Sequence, residues 1–215
     1  MTKQEILARL KAEKVIALIR ADSSANLLDC ARALSAGGLN CIELTMTTPN
    51  ALELCAQVAK ELPQVLLGLG TVLDAETARK GIAAGAKFIV TPAVRGAGLG
   101  RGERSGQDGH IQFLAHGDHG RAHGGRDDEL GADVIKIFPA EFFGPAYIKS
   151  LKAPFPQLEF LPTGGVTPET VGEFLKNGAF ATAAGSALVS AAALKAGDWA
   201  AITARAKQFV AAARA

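Results

Sequence analysis

The sequence predicts an α/β fold, a (β/α)8 TIM barrel, and three observations carry that expectation. Short apolar runs recur at regular intervals, and helical stretches with apolar residues three and four apart lie between most of them. The runs are apolar throughout rather than alternating, as in a parallel sheet covered by helices on both faces. An open doubly wound sheet shares this pattern. Seven visible strands, with one gap between Pro92 and Asp133 where an eighth belongs, favour the closed barrel.

The expected strands cover 15–19, 41–46, 65–69, 88–90, 134–138, 158–161 and 181–188. Expected helices cover 25–35, 51–61, 75–84, 169–177 and an alanine-rich closing stretch, 198–213. Glycines just past the helical stretches (Gly37, Gly85, Gly178) are C-cap signals. Thr48-Pro49-Asn50, Asp74 and Thr167-Pro168-Glu169 carry the cap residues or early proline that open helices.

The 215 residues suit one barrel domain, 1–215, with a substantial core. A net charge of only +2 argues against a nucleic-acid partner or a polybasic membrane role. No apolar run is long enough to span a bilayer, and the polar, amphipathic opening is unlike a secretion signal, so a cytoplasmic location is expected. Cys30, Cys41 and Cys55 are odd in number, lack a Cys-x-x-Cys pair and sit in apolar contexts, which reads as buried reduced thiols.

Residues 96–131 break the rhythm. They hold 11 of the 24 glycines and all four histidines, His110, His116, His119 and His123, and taken alone read as a loop or disordered insert. Three explanations compete. A metal site would use the spacing of His116, His119 and His123, but the intervening glycines oppose a helix and no carboxylate pattern completes the site, so no metal is expected. A natural mobile lid is the second. The third is a reading-frame error: His116 to Gly125 read one nucleotide later allows Thr-Ala-Thr-Thr-Ala-Glu-His-Met-Ala-Ala, a loop running into good helix formers. The chain as written would then lack a strand and fold poorly or be inactive.

Active sites of parallel α/β folds lie at the C-terminal ends of the strands. Lys136, flanked by Ile135 and Ile137, falls in a strand apolar on both faces. A buried ammonium either pairs or sheds its proton, and an unprotonated amine is the nucleophile that forms a Schiff base with a ketone. The plainer readings are an ion pair with Glu43 or a snorkelling surface lysine. Glu43, between Ile42 and Leu44, raises the same question: a carboxylate near that lysine can act as general acid and base, or be its structural partner or that of Arg20. Thr163-Gly164-Gly165 and Gly185-Ser186, ending the last two strands, expose backbone N–H groups suited to an anion such as phosphate. Arg20, Thr71 and Pro92 end strands one, three and four; Arg20 suits a carboxylate, a phosphate or a surface acid.

Together the stretches Ile16–Arg20, Gly37–Pro49, Leu67–Val72, Ala86–Pro92, Gly131–Pro139 and Phe160–Val166 resemble the 2-keto-3-deoxy-6-phosphogluconate (KDPG) aldolase family, which includes 4-hydroxy-2-oxoglutarate (KHG) and 2-keto-3-deoxy-6-phosphogalactonate aldolases. Lys-x-Phe-Pro followed by Pro-Thr-Gly-Gly, with Glu43 upstream, is the specific part of the likeness. The resemblance implies a class I aldolase on a (β/α)8 barrel, commonly a homotrimer, needing no cofactor or metal. It would cleave 2-dehydro-3-deoxy-6-phosphogluconate to pyruvate and glyceraldehyde 3-phosphate, or act on the phosphogalactonate epimer or 4-hydroxy-2-oxoglutarate. Carried over, Lys136 would form the carbinolamine and imine, and Glu43 would move protons, partly through water. Thr71 would hold the pyruvate carboxylate, with Phe138 packing at the imine. Gly164, Gly165 and Ser186 would hold the distal phosphate, with Pro92, Thr163 and Gly185 lining the substrate site and Arg20 at one anionic end.

Two departures stand out. An arginine common four residues after the glutamate is replaced by Thr47, and the Pro-Gly and Thr-rich, Glu-containing turn after strand five is absent from 96–131, where the shifted frame would restore the Thr-rich part. Rival readings are an inactive or damaged barrel that only binds sugar phosphate, and an isomerase using Glu43 as base without an imine.

Overall fold

The computed structural model describes residues 1–91 and 132–215, together with the backbone of 111–116. Eight parallel strands form one sheet: β1 (Val15–Ile19), β2 (Cys41–Thr45), β3 (Leu66–Gly70), β4 (Phe88–Thr91), β5 (Ile111–His116), β6 (Val134–Ile137), β7 (Phe160–Pro162) and β8 (Thr182–Ala184). Their order is β7-β6-β5-β4-β3-β2-β1-β8. The two edge strands meet through a parallel bridge between Thr163 and Ala183, and the Phe180 amide donates to the Phe160 carbonyl at 2.9 Å. The architecture is therefore an α/β fold whose parallel sheet curls barrel-like.

β5 corrects one expectation. The chain does not lack a fifth strand: Ile111–His116 lies inside the glycine- and histidine-rich segment and pairs in register with both β4 and β6. Gln112 in the run and the polar composition around it hide the strand from an apolarity criterion. The rest of that segment, including His110, His119 and His123, lies outside the described residues.

Side chains alternate across each strand, and the alternation sorts the apolar residues into two layers. Ile16, Cys41, Leu66, Phe88, Val90, Val134 and Leu161 form an inner cluster. Their neighbours Val15, Ala17, Ile42, Leu67, Ile89, Ile135 and Phe160 face the covering helices. The same parity sets Glu43 with Cys41, Gly68 and Gly70 with Leu66, Lys136 with Val134, and Thr163 with Leu161 on the inner face.

Helix α1 (Lys3–Glu13) closes the N-terminal end of the sheet. A capping box starts it: the Glu5 amide donates to Thr2 Oγ1 and the Thr2 amide to the Glu5 carboxylate. Ile6 and Leu10, fully buried, join the inner cluster from below. Polar contacts from Lys3 to Asp133, from Arg9 to the Gln64 carbonyl and from Lys11 to Glu159 tie the helix to residues just preceding β6, β3 and β7.

The remaining described helices are α2 (Leu27–Ala36), α3 (Ala51–Glu61), α4 (Ala75–Ala83), α5 (Ala146–Lys152), α6 (Val171–Lys176), α7 (Ala191–Ala196) and α8 (Trp199–Arg214). Asp74 caps α4 as expected, accepting from the Thr77 amide at 2.7 Å. α2 and α8 pack closely because Gly37 has no side chain: a Cβ there would stand 2.5 Å from that of Ala206. No helix among the described residues is long and apolar enough to cross a membrane.

Candidate active site

β2 and β6 stand four strands apart by either route around the sheet. On a sheet that curls barrel-like, long inward-facing side chains from strands so separated can meet across the interior. Lys136 and Glu43 do. Lys136 Nζ donates to Glu43 Oε1 at 3.1 Å and to Oε2 at 3.2 Å. Glu43 is 1% exposed and Lys136 6%. Each charge removed from water has its partner, as burial requires. The pair lies above the apolar inner cluster, toward the C-terminal ends of the strands.

Above the pair, Thr45 is buried and its Oγ1 lies 2.9 Å from that of Thr47; the Ala21 amide donates to Thr48 Oγ1 at 3.3 Å. The second bond draws the loops after β1 and β2 together. Thr71, directly after β3, is half-buried with φ of 60°, a left-handed conformation that a β-branched residue rarely adopts. Such an outlier at a strand end points toward function.

On the other side Thr163 ends β7. It is 5% exposed, and its Oγ1 has no hydrogen-bond partner among the described residues. A buried hydroxyl left unmatched is costly. Gly164 and Gly165 follow with φ of 93° and 69°, a turn open to glycine at little cost. The turn after β6 is stitched to it: the Ala140 amide donates to the Thr163 carbonyl at 2.8 Å, and the Glu141 side chain lies along both glycines. At the end of β8 the Gly185 carbonyl accepts from the Leu188 and Val189 amides, and Ser186 is exposed. Arg20 is exposed at the end of β1, and Phe138, just past β6, is half-exposed.

The sheet thus brings Lys136, Glu43, Thr163, Gly164, Gly165, Gly185, Ser186, Thr71, Arg20 and Phe138 to its C-terminal end, with Pro92 outside the described residues. Among the described residues no group of three or more His, Cys, Asp and Glu side chains could hold a metal ion. Two contributors went unread in the sequence. Gly70 carried a signal, a glycine interrupting an apolar strand, which marks a close approach. Glu141 carried none, because its place depends on a turn between strands.

A buried amine paired with a carboxylate at the C-terminal end of a parallel, barrel-like sheet is the equipment of an aldolase, a lyase working through an imine. The family model for KDPG and KHG aldolase matches residues 6–205. The 2-dehydro-3-deoxy-phosphogluconate aldolase of Treponema pallidum is 35% identical over 205 residues, 95% of this chain and 94% of that protein. Among solved structures, the 2-keto-3-deoxy-6-phosphogluconate aldolase of Zymomonas mobilis ZM4 with 3-phosphoglycerate superposes with a TM-score of 0.81 at 32% identity, covering 98% of this chain and 97% of that one. The KDPG aldolase of Legionella pneumophila, with pyruvate captured as a covalent carbinolamine, gives 0.78 at 27% identity, covering 97% and 98%. This chain belongs to the KDPG and KHG aldolase family.

Proposed function

We propose that the chain is a class I aldolase cleaving 2-dehydro-3-deoxy-6-phosphogluconate to pyruvate and glyceraldehyde 3-phosphate, on a closed (β/α)8 barrel. The buried Lys136–Glu43 contact carries this reading, and the carbinolamine held by the Legionella relative supports it. Glu43 takes a proton from the Lys136 ammonium, and the freed amine adds to the C2 ketone. The carbinolamine loses water, its oxygen leaving with the proton Glu43 returns, and a protonated imine remains. Glu43 then accepts the C4 hydroxyl proton as the C3–C4 bonding pair moves into the iminium, giving an enamine and the aldehyde. Return of that proton to C3 and hydrolysis of the imine release pyruvate and restore Lys136.

Thr71 and Arg20 bind the carboxylate end, with Phe138 and Pro92 beside the imine. Thr163, Gly164, Gly165, Gly185 and Ser186 receive the phosphate. Thr47, in place of an arginine, leaves the carboxylate with fewer charged partners and favours a second reading in which 4-hydroxy-2-oxoglutarate or the phosphogalactonate epimer is also turned over. The proposed assembly is a cytoplasmic homotrimer: Phe142 and Phe143, 78% and 56% exposed, are apolar surface that a partner subunit would cover. Light scattering after gel filtration tests it. The reading extends to residues 96–131 as an atypical segment, either frame-shifted or a natural insert, within one domain, 1–215, and the coding DNA read in all three frames tests that.

Borohydride reduction with pyruvate tests the chemistry. The expected result is a stable adduct on the native chain that disappears in Lys136→Ala. A native chain that yields no adduct favours instead the rival, a barrel that only binds sugar phosphate.

A further inference from the structure

β3 carries two glycines, Gly68 and Gly70, on the inner face of the sheet. Glycine weakens a strand, having no side chain to pack and more backbone freedom to lose. Neither has a positive φ, so backbone conformation does not call for glycine at either position. Space does. A Cβ on Gly68 would stand 2.0 Å from the ring of Phe88. A Cβ on Gly70 would stand 2.1 Å from Glu43 Oε1, 2.8 Å from its Cδ and 3.0 Å from its Cγ. One notch holds a core ring; the other holds the acid.

The register explains the second contact. Glu43 pairs with Gly68, and Gly70 pairs with Thr45, two residues further on. The Glu43 side chain therefore leans along the strand direction, over Gly70, before its carboxylate meets Lys136 Nζ at 3.1 and 3.2 Å. At 1% exposure it is enclosed by its neighbours. We propose that Gly70 is a positioning residue of this active site, its missing side chain being the slot that sets Glu43 within proton-transfer distance of Lys136. The proposal rests on the reading of Lys136 and Glu43 as the reacting pair.

A methyl group at position 70 forces the carboxylate to move by about an ångström, and displacements of that size cost on the order of 100-fold in rate. Gly70→Ala is expected to lower kcat for cleavage about 100-fold, with KM changed by less than about threefold. Exchange of the pyruvate methyl hydrogens with deuterium oxide, which requires the enamine to be protonated at C3, should fall in parallel. Shortening the acid clears the methyl, so Gly70→Ala/Glu43→Asp should exceed the product of the two single effects by at least about fivefold in exchange rate. Gly68→Ala serves as the control. It crowds Phe88, so it should lower Tm while leaving exchange by the folded enzyme within about threefold.

Gly70→Ala with unchanged kcat and exchange overturns the proposal. Should Gly70→Ala fail to fold, the double variant decides: recovery of fold and exchange together supports the slot, and no recovery overturns it. Absence of a borohydride adduct on the native enzyme instead refutes the aldolase reading on which the proposal stands.

Discussion

Lys136 Nζ sits almost equidistant from both oxygens of Glu43, although 93 positions separate the two residues in sequence. Removing one partner leaves an uncompensated buried charge, which costs about 3–5 kcal/mol, whereas an apolar pair of similar volume is often neutral or stabilising. Lys136→Met and Glu43→Leu should each lose about that much unfolding free energy in urea. The combined variant should recover most of it. Additive losses would mean the ion pair is not the relevant interaction.

Thr71 pays for a left-handed backbone, about 1–2 kcal/mol for a residue with a Cβ. Glycine removes that strain and restores about 0.5–1 kcal/mol of unfolded-state freedom. Thr71→Gly should therefore melt at or slightly above the native temperature while kcat/KM falls with the lost hydroxyl. A clear drop in Tm would show that the Thr71 side chain stabilises the fold instead.

Glu141 lies beside Gly164 and Gly165, the turn proposed to receive the distal phosphate. Its Oε2 stands 1.9 Å from the position of a Cβ on Gly164, and the side chain is exposed, free to swing aside. Glu141→Gln keeps the shape and removes the charge. KM for the phosphorylated substrate should fall several-fold, with KM for 4-hydroxy-2-oxoglutarate, which has no phosphate, unchanged. A rise in the first value would show that the carboxylate helps to form the phosphate site.

Burial pushes the Cys30 thiol from 9.0 up to about 12 and the Cys55 thiol up to about 11; Cys41, fully enclosed, is raised well above its ordinary value. The native chain should resist thiol reagents at pH 8 and react only on unfolding. Above pH 9 the unfolded thiols ionise while the folded ones stay protonated, so the unfolded state binds fewer protons. Stability contributed by these groups is complete below pH 9 and declines toward pH 11 to 12, by about 1.4 kcal/mol per pH unit per thiol. Urea midpoints measured from pH 8 to 11 check the slope against a variant with all three cysteines replaced by alanine.

Much of the site was legible because its two charges interrupt apolar strands. Lys136 between isoleucines and Glu43 between Ile42 and Leu44 have no solvent-facing side to turn to. Boundaries were less legible where local hydrogen bonds end an element early. β8 stops at Ala184, short of Leu188, because the Gly185 carbonyl takes the amides of Leu188 and Val189. β7 begins at Phe160 because the Leu158 amide turns back to the Phe155 carbonyl. The sixth helix starts at Val171, two residues later than expected, behind a turn in which Thr170 Oγ1 donates to the Gly165 carbonyl. β5 was hidden by composition, and Glu141 by a contact that exists only once β6 and β7 are neighbours.

With Ile6 and Leu10 stoppering the base, the described residues leave the carboxyl ends of the strands as the side from which Lys136 is approached. On the proposed chemistry a ketoacid tethered to Lys136 would sit deepest, with the aldehyde half between it and the exit. Departure would then be queued: triose phosphate first, pyruvate after it, and in the synthetic direction pyruvate would board before its partner.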